Sequence, residues 1–180
     1  MNEIILPVQF LIETPLAALY NNTLTGFDTP RKQSSGRVQV IKKVFIPTQQ
    51  NGQRGVGIGA TTRSSAKQYE TKMFFDNITY LGEEDDQANG FTFQTPDGQE
   101  HVIEPVGYNA GDVEVRCSCL DFYYRFSVGN NKDGSLLGDP PDPYINKTDN
   151  REPVNPNRTP GLCKHLIALT DQLRQERFLR

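Results

Sequence analysis

The stretch that decides the fold reads Val113-Glu114-Val115-Arg116-Cys117-Ser118-Cys119, and Cys163-Lys164-His165-Leu166 follows it after an interval of 43 residues, 120–162. Apolar and polar residues alternate in the first stretch, which predicts a β-strand. Side chains two positions apart on a strand point to the same face of a sheet. The thiols of Cys117 and Cys119 can therefore be directed at one ion.

A helix is predicted at the C-terminal end of the chain, because Thr159 can cap it and Pro160 suits its first position. Leucines follow at steps of four, three and four residues: Leu162, Leu166, Leu169 and Leu173. Cys163 and His165 then lie in the first turn, where the positive end of the helix dipole favours a thiolate.

Together the two pairs offer three sulfur ligands and one nitrogen ligand, which is the donor set of a closed tetrahedral zinc site. We expect Cys117, Cys119, Cys163 and His165 to bind a structural Zn²⁺, with no coordination position left for a catalytic water. Closing the interval between the pairs costs about 4 kcal/mol of chain entropy. A structural zinc contributes roughly 10–16 kcal/mol in finger peptides, so the ion can hold the polar segment 120–162 in place.

Other interpretations of the cysteines stay open. They could be buried side chains with no link to His165, or Cys163 or Cys117 could be a nucleophile paired with a histidine, which leaves two thiols unexplained. A disulfide between Cys117 and Cys119 is awkward, since residues i and i+2 of one strand are poorly placed for bridging. His101 lies in a predicted hairpin strand, and no base and nucleophile are paired at a recognisable spacing. We therefore expect no enzymatic activity.

The rest of the chain predicts an α+β fold with several antiparallel strands. A strand is expected over 38–46, ending at Pro47, and a strand or strand pair over 69–81, where Tyr69, Thr71, Met73 and Phe75 share one face. Two further strands over 91–106 form a predicted hairpin that turns at Pro96-Asp97-Gly98.

The remaining segments predict shorter or irregular structure. A short helix is expected with Thr14 as cap and Pro15 as its first residue. Residues 48–68 predict a loop or bulged strand, and Gly55–Gly59 within them lack the Gly-Lys-Ser/Thr of a phosphate loop. Residues 130–160 predict a long loop, which is uncommon inside a domain unless it is functional or held by something.

At the two ligand pairs the sequence resembles the SWIM-type zinc finger, whose pattern is CxC followed by CxH on a ββα unit. The matching residues are Cys117-Ser118-Cys119 and Cys163-Lys164-His165, with a longer interval than in ordinary SWIM fingers. The flanking residues 117–126 and 155–165 look like the SWIM-like segment of proteins from tailed bacteriophages and other large viruses. Several of those proteins are virion or structural proteins.

The resemblance implies a zinc-stabilised interaction module. It would comprise an N-terminal arm or interaction segment over 1–60 and an antiparallel β-rich zinc domain over 61–180, with a ββα unit, a long ordered loop and a C-terminal helix. It also implies a structural component of a bacteriophage particle, in the head, neck, tail or baseplate. Such a protein is made in the host cytoplasm and contacts other virion proteins in a multi-copy assembly. We expect neither a signal peptide nor a membrane span, since the N-terminus begins acidic and Pro7 and Glu13 interrupt its apolar stretch.

The alternative function is a zinc-dependent nucleic-acid-binding module. Basic residues form one modest cluster and flank the ligand pairs: Arg31, Lys32, Arg37, Lys42, Lys43, Arg116, Arg125, Arg158 and Lys164. Tyr123 and Tyr124 could stack on bases. The formal net charge is -3, and between Glu83 and Glu114 the chain has no lysine or arginine. This acidic balance opposes binding to a phosphate backbone and makes nucleic acid the second choice.

Overall fold

The structure is a computed structural model, and it describes residues 14–27, 35–50, 53–85, 87–109, 111–142 and 154–180. The helices of this part of the chain are α1 (Leu16–Thr25), α2 (Ser127–Asp133) and α3 (Lys164–Gln175). Its strands are β1 (Val38–Gln50), β2 (Gln53–Ser64), β3 (Lys67–Phe75), β4 (Phe91–Gln94), β5 (Glu100–Ile103) and β6 (Val113–Cys117). A 3₁₀ turn covers Gln87–Asn89, and a π-helical turn, Phe122–Phe126, leads directly into α2. The predicted α+β class, with an antiparallel sheet and a C-terminal helix, is confirmed.

The main sheet is antiparallel, with the spatial order β1-β2-β3-β6. Buried side chains alternate with more exposed ones along its inner strands, so one face of the sheet is covered and the other is more open. On β3 the buried residues are Thr71, Met73 and Phe75, as the alternation predicts. This strand ends at Phe75, earlier than predicted.

The N-terminal half of the sheet differs from the predicted extents. β1 does not end at Pro47 but continues to Gln50, and Pro47 pairs with Val56. Proline is tolerated there because β1 is an outer strand of the sheet, where a missing N–H costs no ladder bond on the open side. The stretch Gly55–Gly59 lies within β2, and the register irregularity is in β1, between Val40 and Lys42.

α3 covers the buried face of the sheet and contacts β1, β2, β3 and β6. The leucines of the predicted stripe are all fully buried: Leu162, Leu166, Leu169 and Leu173. Burying a leucine side chain stabilises a fold by about 1.5–3 kcal/mol. This packing sets the start of α3 next to the end of β6, which is where the two ligand pairs lie.

The predicted start of the first helix is wrong by one residue. α1 begins at Leu16 with Pro15 as its N-cap, rather than with Thr14 in that position. The backbone N–H of Thr14 donates instead to the carboxylate of Asp112 at 2.9 Å. This bond ties the start of α1 to the residue before β6.

The predicted start of the last helix is wrong by one turn, because α3 begins at Lys164 rather than at Pro160. The residues between them do not continue the helix, since the buried side chain of Asn130 binds their backbone. The N–H of Gly161 donates to Asn130 Oδ1 at 2.8 Å, and Asn130 Nδ2 donates to Gly161 O at 3.1 Å. A contact 31 residues away in sequence therefore overrides the local helix signal.

The segment between the ligand pairs is not entirely a loop. It begins with a helical region formed by the π-helical turn and α2, which ends at Gly134 in the left-handed conformation with φ 80°. The predicted loop is therefore wrong for 130–133. Residues 143–153 lie outside the described part of the chain.

β4 and β5 form the predicted hairpin as a separate two-stranded sheet. The rings of Phe91 and Phe93 contact Phe45 of β1, and Phe91 also contacts Phe178 after α3. The hairpin is therefore attached to the main sheet through aromatic contacts.

The domain boundary predicted between residues 60 and 61 falls inside β2. On both sides of it β2 pairs with β1 and β3, so residues 53–64 belong to one sheet. The separate role of an N-terminal arm stays a prediction, and its residues 1–13 and 28–34 lie outside the described part of the chain.

Within the described ranges, none of the helices combines the length and the apolar character that crossing a bilayer requires.

Candidate metal centre

The four side chains predicted as ligands lie together between the end of β6 and the start of α3: Cys117, Cys119, Cys163 and His165. Their ligand atoms are all within 4.8 Å of one another. His165 Nδ1 lies 3.8 Å from Cys117 Sγ and 3.9 Å from Cys163 Sγ. Around a tetrahedral zinc with Zn–S near 2.3 Å and Zn–N near 2.0–2.1 Å, neighbouring ligand atoms are about 3.6–3.8 Å apart. One metal ion therefore fits between these four atoms.

The end of β6 positions the first pair. Cys117 is the last residue of β6 and lies opposite Thr71 of β3. The next residue fastens the chain to β3, because Ser118 N–H donates to Glu70 O and Glu70 N–H donates to Ser118 Oγ, both at 2.9 Å. Ser118 is exposed, whereas Cys117 and Cys119 are only 5% and 3% exposed. The two thiols consequently stay on the same, inner side of the strand.

The approach to α3 positions the second pair. Cys163 is the N-cap of α3 and has an extended backbone, with φ -75° and ψ 165°. The residue before it is held by α1, since Leu162 N–H donates to Thr23 Oγ1 at 2.6 Å. Together with the two bonds between Asn130 and Gly161, this contact directs the cysteine toward β6.

A second buried asparagine fixes the turn upstream of this approach. Asn155 Nδ2 donates to the carbonyls of Arg125 and Thr159, both at 2.8 Å, and Thr159 N–H donates to Asn155 Oδ1 at 3.0 Å. Asn155 therefore connects the π-helical turn to the chain that leads to Cys163.

Sequence reasoning missed both positioning residues, Asn130 and Asn155. Each lies in a segment rich in Asn, Asp, Pro and Gly. An asparagine that binds a distant backbone has the same local surroundings there as one that faces solvent. The local sequence therefore carries no signal that separates them.

The imidazole of His165 has a defined environment. The residue is 2% exposed, and the Tyr69 ring lies against it with a centroid distance of 4.3 Å. Nδ1 faces the sulfur atoms, whereas Nε2 is buried and has no hydrogen-bond partner among the described residues. Nδ1 is thus the nitrogen that the fold presents to a metal.

The three thiols have unequal affinities for protons. Hydrogen bonds from Cys117 and then from Cys163 lower the pKa of Cys119, and Phe122 N–H also donates to its sulfur at 3.3 Å. Complete burial raises the pKa of Cys163, with further increases from the other two thiols. The hydrogen bond to Cys119 raises the pKa of Cys117. Near neutral pH the thiols of Cys117 and Cys163 are therefore protonated without a metal, and a divalent cation favours their ionisation.

A nucleophilic Cys163 and a disulfide between Cys117 and Cys119 receive little support from the geometry. All three cysteines fall in the described part of the chain, where each is a free, buried thiol. Cys163 is 0% exposed, so a substrate cannot reach its sulfur without opening the fold. His101 does not join the cluster and instead contacts the rings of Phe93 and Tyr80.

Several of the basic residues considered for nucleic-acid binding make contacts within the protein. Arg125 is 4% exposed, forms an ion pair with Asp121 at 3.2 Å, and lies over the Phe27 ring at 5.1 Å. Arg116 donates to backbone carbonyls after α2, and Lys164 donates to a serine hydroxyl of β2. Two residues of the N-terminal basic cluster lie outside the described ranges: Arg31 and Lys32.

No family model matches the chain, and neither a curated protein nor a solved structure is significantly similar to it.

Proposed function

We propose that this protein is a zinc-stabilised interaction module of the SWIM type, with Cys117, Cys119, Cys163 and His165 as the ligands of a structural Zn²⁺. The observation that carries the proposal is the convergence of four buried ligand atoms within 4.8 Å of one another. They come from the end of a strand and the start of a helix, which are the elements on which a SWIM finger carries its CxC and CxH pairs.

The donor set favours zinc over the other common metals. Three thiolates and one imidazole are soft and borderline ligands, and a tetrahedral site of such ligands is typical of structural zinc. Calcium and magnesium prefer oxygen ligands. All four ligand residues are at most 5% exposed, so no open coordination position faces solvent. This arrangement supports a structural role rather than activation of a water molecule.

The proposed ion links three parts of the fold. Cys117 ends β6, Cys119 precedes the helical region of the π-helical turn and α2, and Cys163 is the N-cap of α3. A structural zinc contributes roughly 10–16 kcal/mol in finger peptides, against about 4 kcal/mol for closing the interval between the pairs. The metal therefore stabilises the position of the helical region relative to the sheet.

An interaction role is supported by the outer side of that helical region. Leu120, Tyr124 and Val128 are 68%, 44% and 47% exposed and follow one another at steps of four residues. Such spacing places side chains along one side of a helix, and an exposed apolar stripe is typical of a protein-interaction surface. By ordering this region, zinc would present the stripe to a partner.

The proposed setting is a bacteriophage particle, in which the module contacts other virion proteins. The support is the resemblance of residues 117–126 and 155–165 to the SWIM-like segment of phage virion proteins, together with the exposed stripe. Mass spectrometry of purified, nuclease-treated particles of the virus that encodes the chain tests this setting. The protein should be retained at a fixed copy number after stringent washing, and its loss from intact particles would contradict a structural role.

Metal analysis tests the zinc site directly. Protein purified under reducing conditions should contain one zinc per chain, and X-ray absorption at the zinc edge should show three sulfur neighbours and one nitrogen neighbour. Freshly purified, fully reduced protein that contains no zinc would overturn the proposal. A first shell with oxygen neighbours would instead contradict the closed structural site.

A further inference from the structure

The ring of Tyr69 lies against the metal centre, although it supplies no ligand atom. Its centroid is 4.3 Å from the centroid of the His165 imidazole, and the two ring planes are tilted by 36°. This distance is slightly below the range of about 4.5–7 Å that is usual for aromatic pairs. The imidazole is therefore in close contact with the tyrosine ring.

Strand β3 fixes the backbone of Tyr69 at the level of the metal centre. Thr71 of this strand lies opposite Cys117. Tyr69 is two positions earlier, so its side chain points to the same face of the sheet. On the other side of the strand, Tyr69 pairs with Thr62 of β2, whose hydroxyl donates to Tyr69 O at 3.2 Å. The pairing that positions Cys117 therefore also fixes the base of the tyrosine.

The second ring nitrogen of His165 does not orient the imidazole through the described part of the chain. A ligand histidine usually donates its other ring N–H to a carboxylate, a carbonyl or a water, and this bond fixes the orientation of the ring. In His165, Nδ1 faces the sulfur atoms of Cys117 and Cys163, whereas Nε2 is buried without a hydrogen-bond partner among the described residues. Packing against a neighbouring ring is then the contact that can orient the imidazole.

We propose that Tyr69 is a positioning residue of the metal centre, and that its ring fixes the plane of the His165 imidazole so that Nδ1 is directed at the zinc ion. The lone pair of Nδ1 lies in the plane of the imidazole. An imidazole that turns out of this plane about its Cβ–Cγ bond no longer directs the lone pair at the ion. Restricting the ring to the bound orientation strengthens binding, because less side-chain freedom is lost when the metal binds. This inference rests on the proposed zinc site.

Competition for zinc between the full chain and a chelator of known affinity tests the role of the ring. Tyr69→Leu removes the ring and keeps an apolar side chain, and we expect its zinc affinity to fall about tenfold or more, as is usual when a group that orients a metal ligand is lost. Tyr69→Phe keeps the ring and should bind zinc as tightly as the parent.

The second histidine of the chain provides a matched control. Tyr80 contacts the ring of His101 with a centroid distance of 5.8 Å, and His101 is outside the metal centre. Tyr80→Leu should therefore leave zinc affinity unchanged. A general loss of stability would weaken zinc binding in Tyr69→Leu and Tyr80→Leu alike, and such an equal loss would overturn the positioning role.

Nitrogen NMR of His165 separates positioning from packing alone. In the zinc-loaded parent, long-range ¹H–¹⁵N spectra should show the metal on Nδ1 and the proton on Nε2. In zinc-loaded Tyr69→Leu these signals should broaden, because the imidazole samples several orientations. Parent-like spectra and affinity in Tyr69→Leu, or binding by Tyr69→Phe as weak as that by Tyr69→Leu, would overturn this proposal and leave the zinc site in place. A parent chain that binds no zinc would instead overturn the proposed function and this inference with it.

Discussion

At the scale of single residues, the metal centre depends on side chains of two kinds. The ligands supply the donor atoms, and Asn130 and Asn155 place the backbone that carries Cys163. The two asparagines act through their side-chain amides. These amides form hydrogen bonds with buried backbone groups that lie outside the helices and strands. Their loss should therefore affect stability before it affects the ligand set.

Replacement of His165 tests the ligand assignment, and the second histidine provides the matched control. His165→Ala should lose stoichiometric zinc and lower the free energy of unfolding by about 3 kcal/mol or more, because a three-ligand site binds the ion weakly. His101→Ala should retain one zinc per chain. Hydrogen exchange should show faster exchange over the described part of 120–162 in the first variant. Equal zinc content in both variants would contradict His165 as a ligand.

Replacement of Asn130 tests the positioning role. Asn130→Ala leaves the buried N–H and C=O of Gly161 without their partner, and we expect the free energy of unfolding to fall by about 2–4 kcal/mol while zinc still binds. The neighbouring Asn131 is exposed, so Asn131→Ala should change stability by less than about 0.5 kcal/mol. Urea unfolding of both zinc-loaded variants measures the difference. Similar midpoints for the two variants would show that the amide of Asn130 has no such role.

At the scale of elements, close contact between α2 and the chain approaching α3 shapes the site. A Cβ added at Gly129 would lie 2.6 Å from Arg158 O and 2.8 Å from Thr159 O, both of them backbone atoms. Glycine at this helical position therefore allows the backbones of α2 and of residues 158–159 to lie close together, and its flexibility is not what the position requires. This contact, with the asparagine bonds, keeps residues 160–161 out of the helix that their sequence predicts.

Replacement of Gly129 by alanine should reverse the usual effect of that change. Alanine is favoured over glycine inside helices by about 1 kcal/mol, but here we expect a net destabilisation of about 2 kcal/mol, because the backbones must separate. Val128→Ala, at the exposed neighbouring position, should be within about 0.5 kcal/mol of the parent. Thermal and urea unfolding measure both variants. A more stable Gly129→Ala protein would show that the contact is not tight.

At the scale of the whole molecule, zinc binding is coupled to proton release. The raised pKa values of Cys163 and Cys117 keep both thiols protonated near neutral pH without metal, whereas the pKa of Cys119 is lowered by its hydrogen bonds. Binding of Zn²⁺ to three thiolates therefore releases at least two protons. Raising the pH removes these protons and therefore strengthens zinc binding, whereas lowering the pH weakens zinc binding.

The pH dependence of zinc affinity checks this coupling. Between about pH 6 and 7.5 the affinity should rise by about 100-fold or more per pH unit, which corresponds to at least two protons per zinc. Calorimetry in buffers of different ionisation enthalpy counts the protons independently. A proton count below two would show that Cys117 and Cys163 are not both protonated without metal.

Nucleic-acid binding is the remaining alternative at this scale. Since the net charge is -3 and basic residues such as Arg125 are buried, we expect no detectable binding of DNA or RNA oligonucleotides at low salt. Fluorescence anisotropy of the zinc-loaded protein with labelled oligonucleotides measures it. An affinity that falls steeply with added salt would favour the nucleic-acid module instead.

The sequence by itself determined the features that are encoded locally. Alternation predicts β3 and β6, the leucine spacing predicts the buried side of α3, and the CxC and CxH pairs predict a Cys₃His cluster. Each of these patterns depends on residues a few positions apart, because strand and helix periods place such residues on one face. Once α3 packs on the sheet, the side chains on these two faces lie next to each other.

Only the tertiary structure decided the features that depend on distant parts of the chain meeting. The start of α3 at Lys164 follows from Asn130 and Thr23, whose side chains bind backbone atoms that local propensity assigns to a helix. A small cavity between β3, β6 and α2 is likewise lined by four acidic residues from separate positions in the sequence: Asp76, Asp112, Glu114 and Asp133. Hydrogen bonds and charge clusters of this kind depend on which elements become neighbours, and no sequence period encodes that.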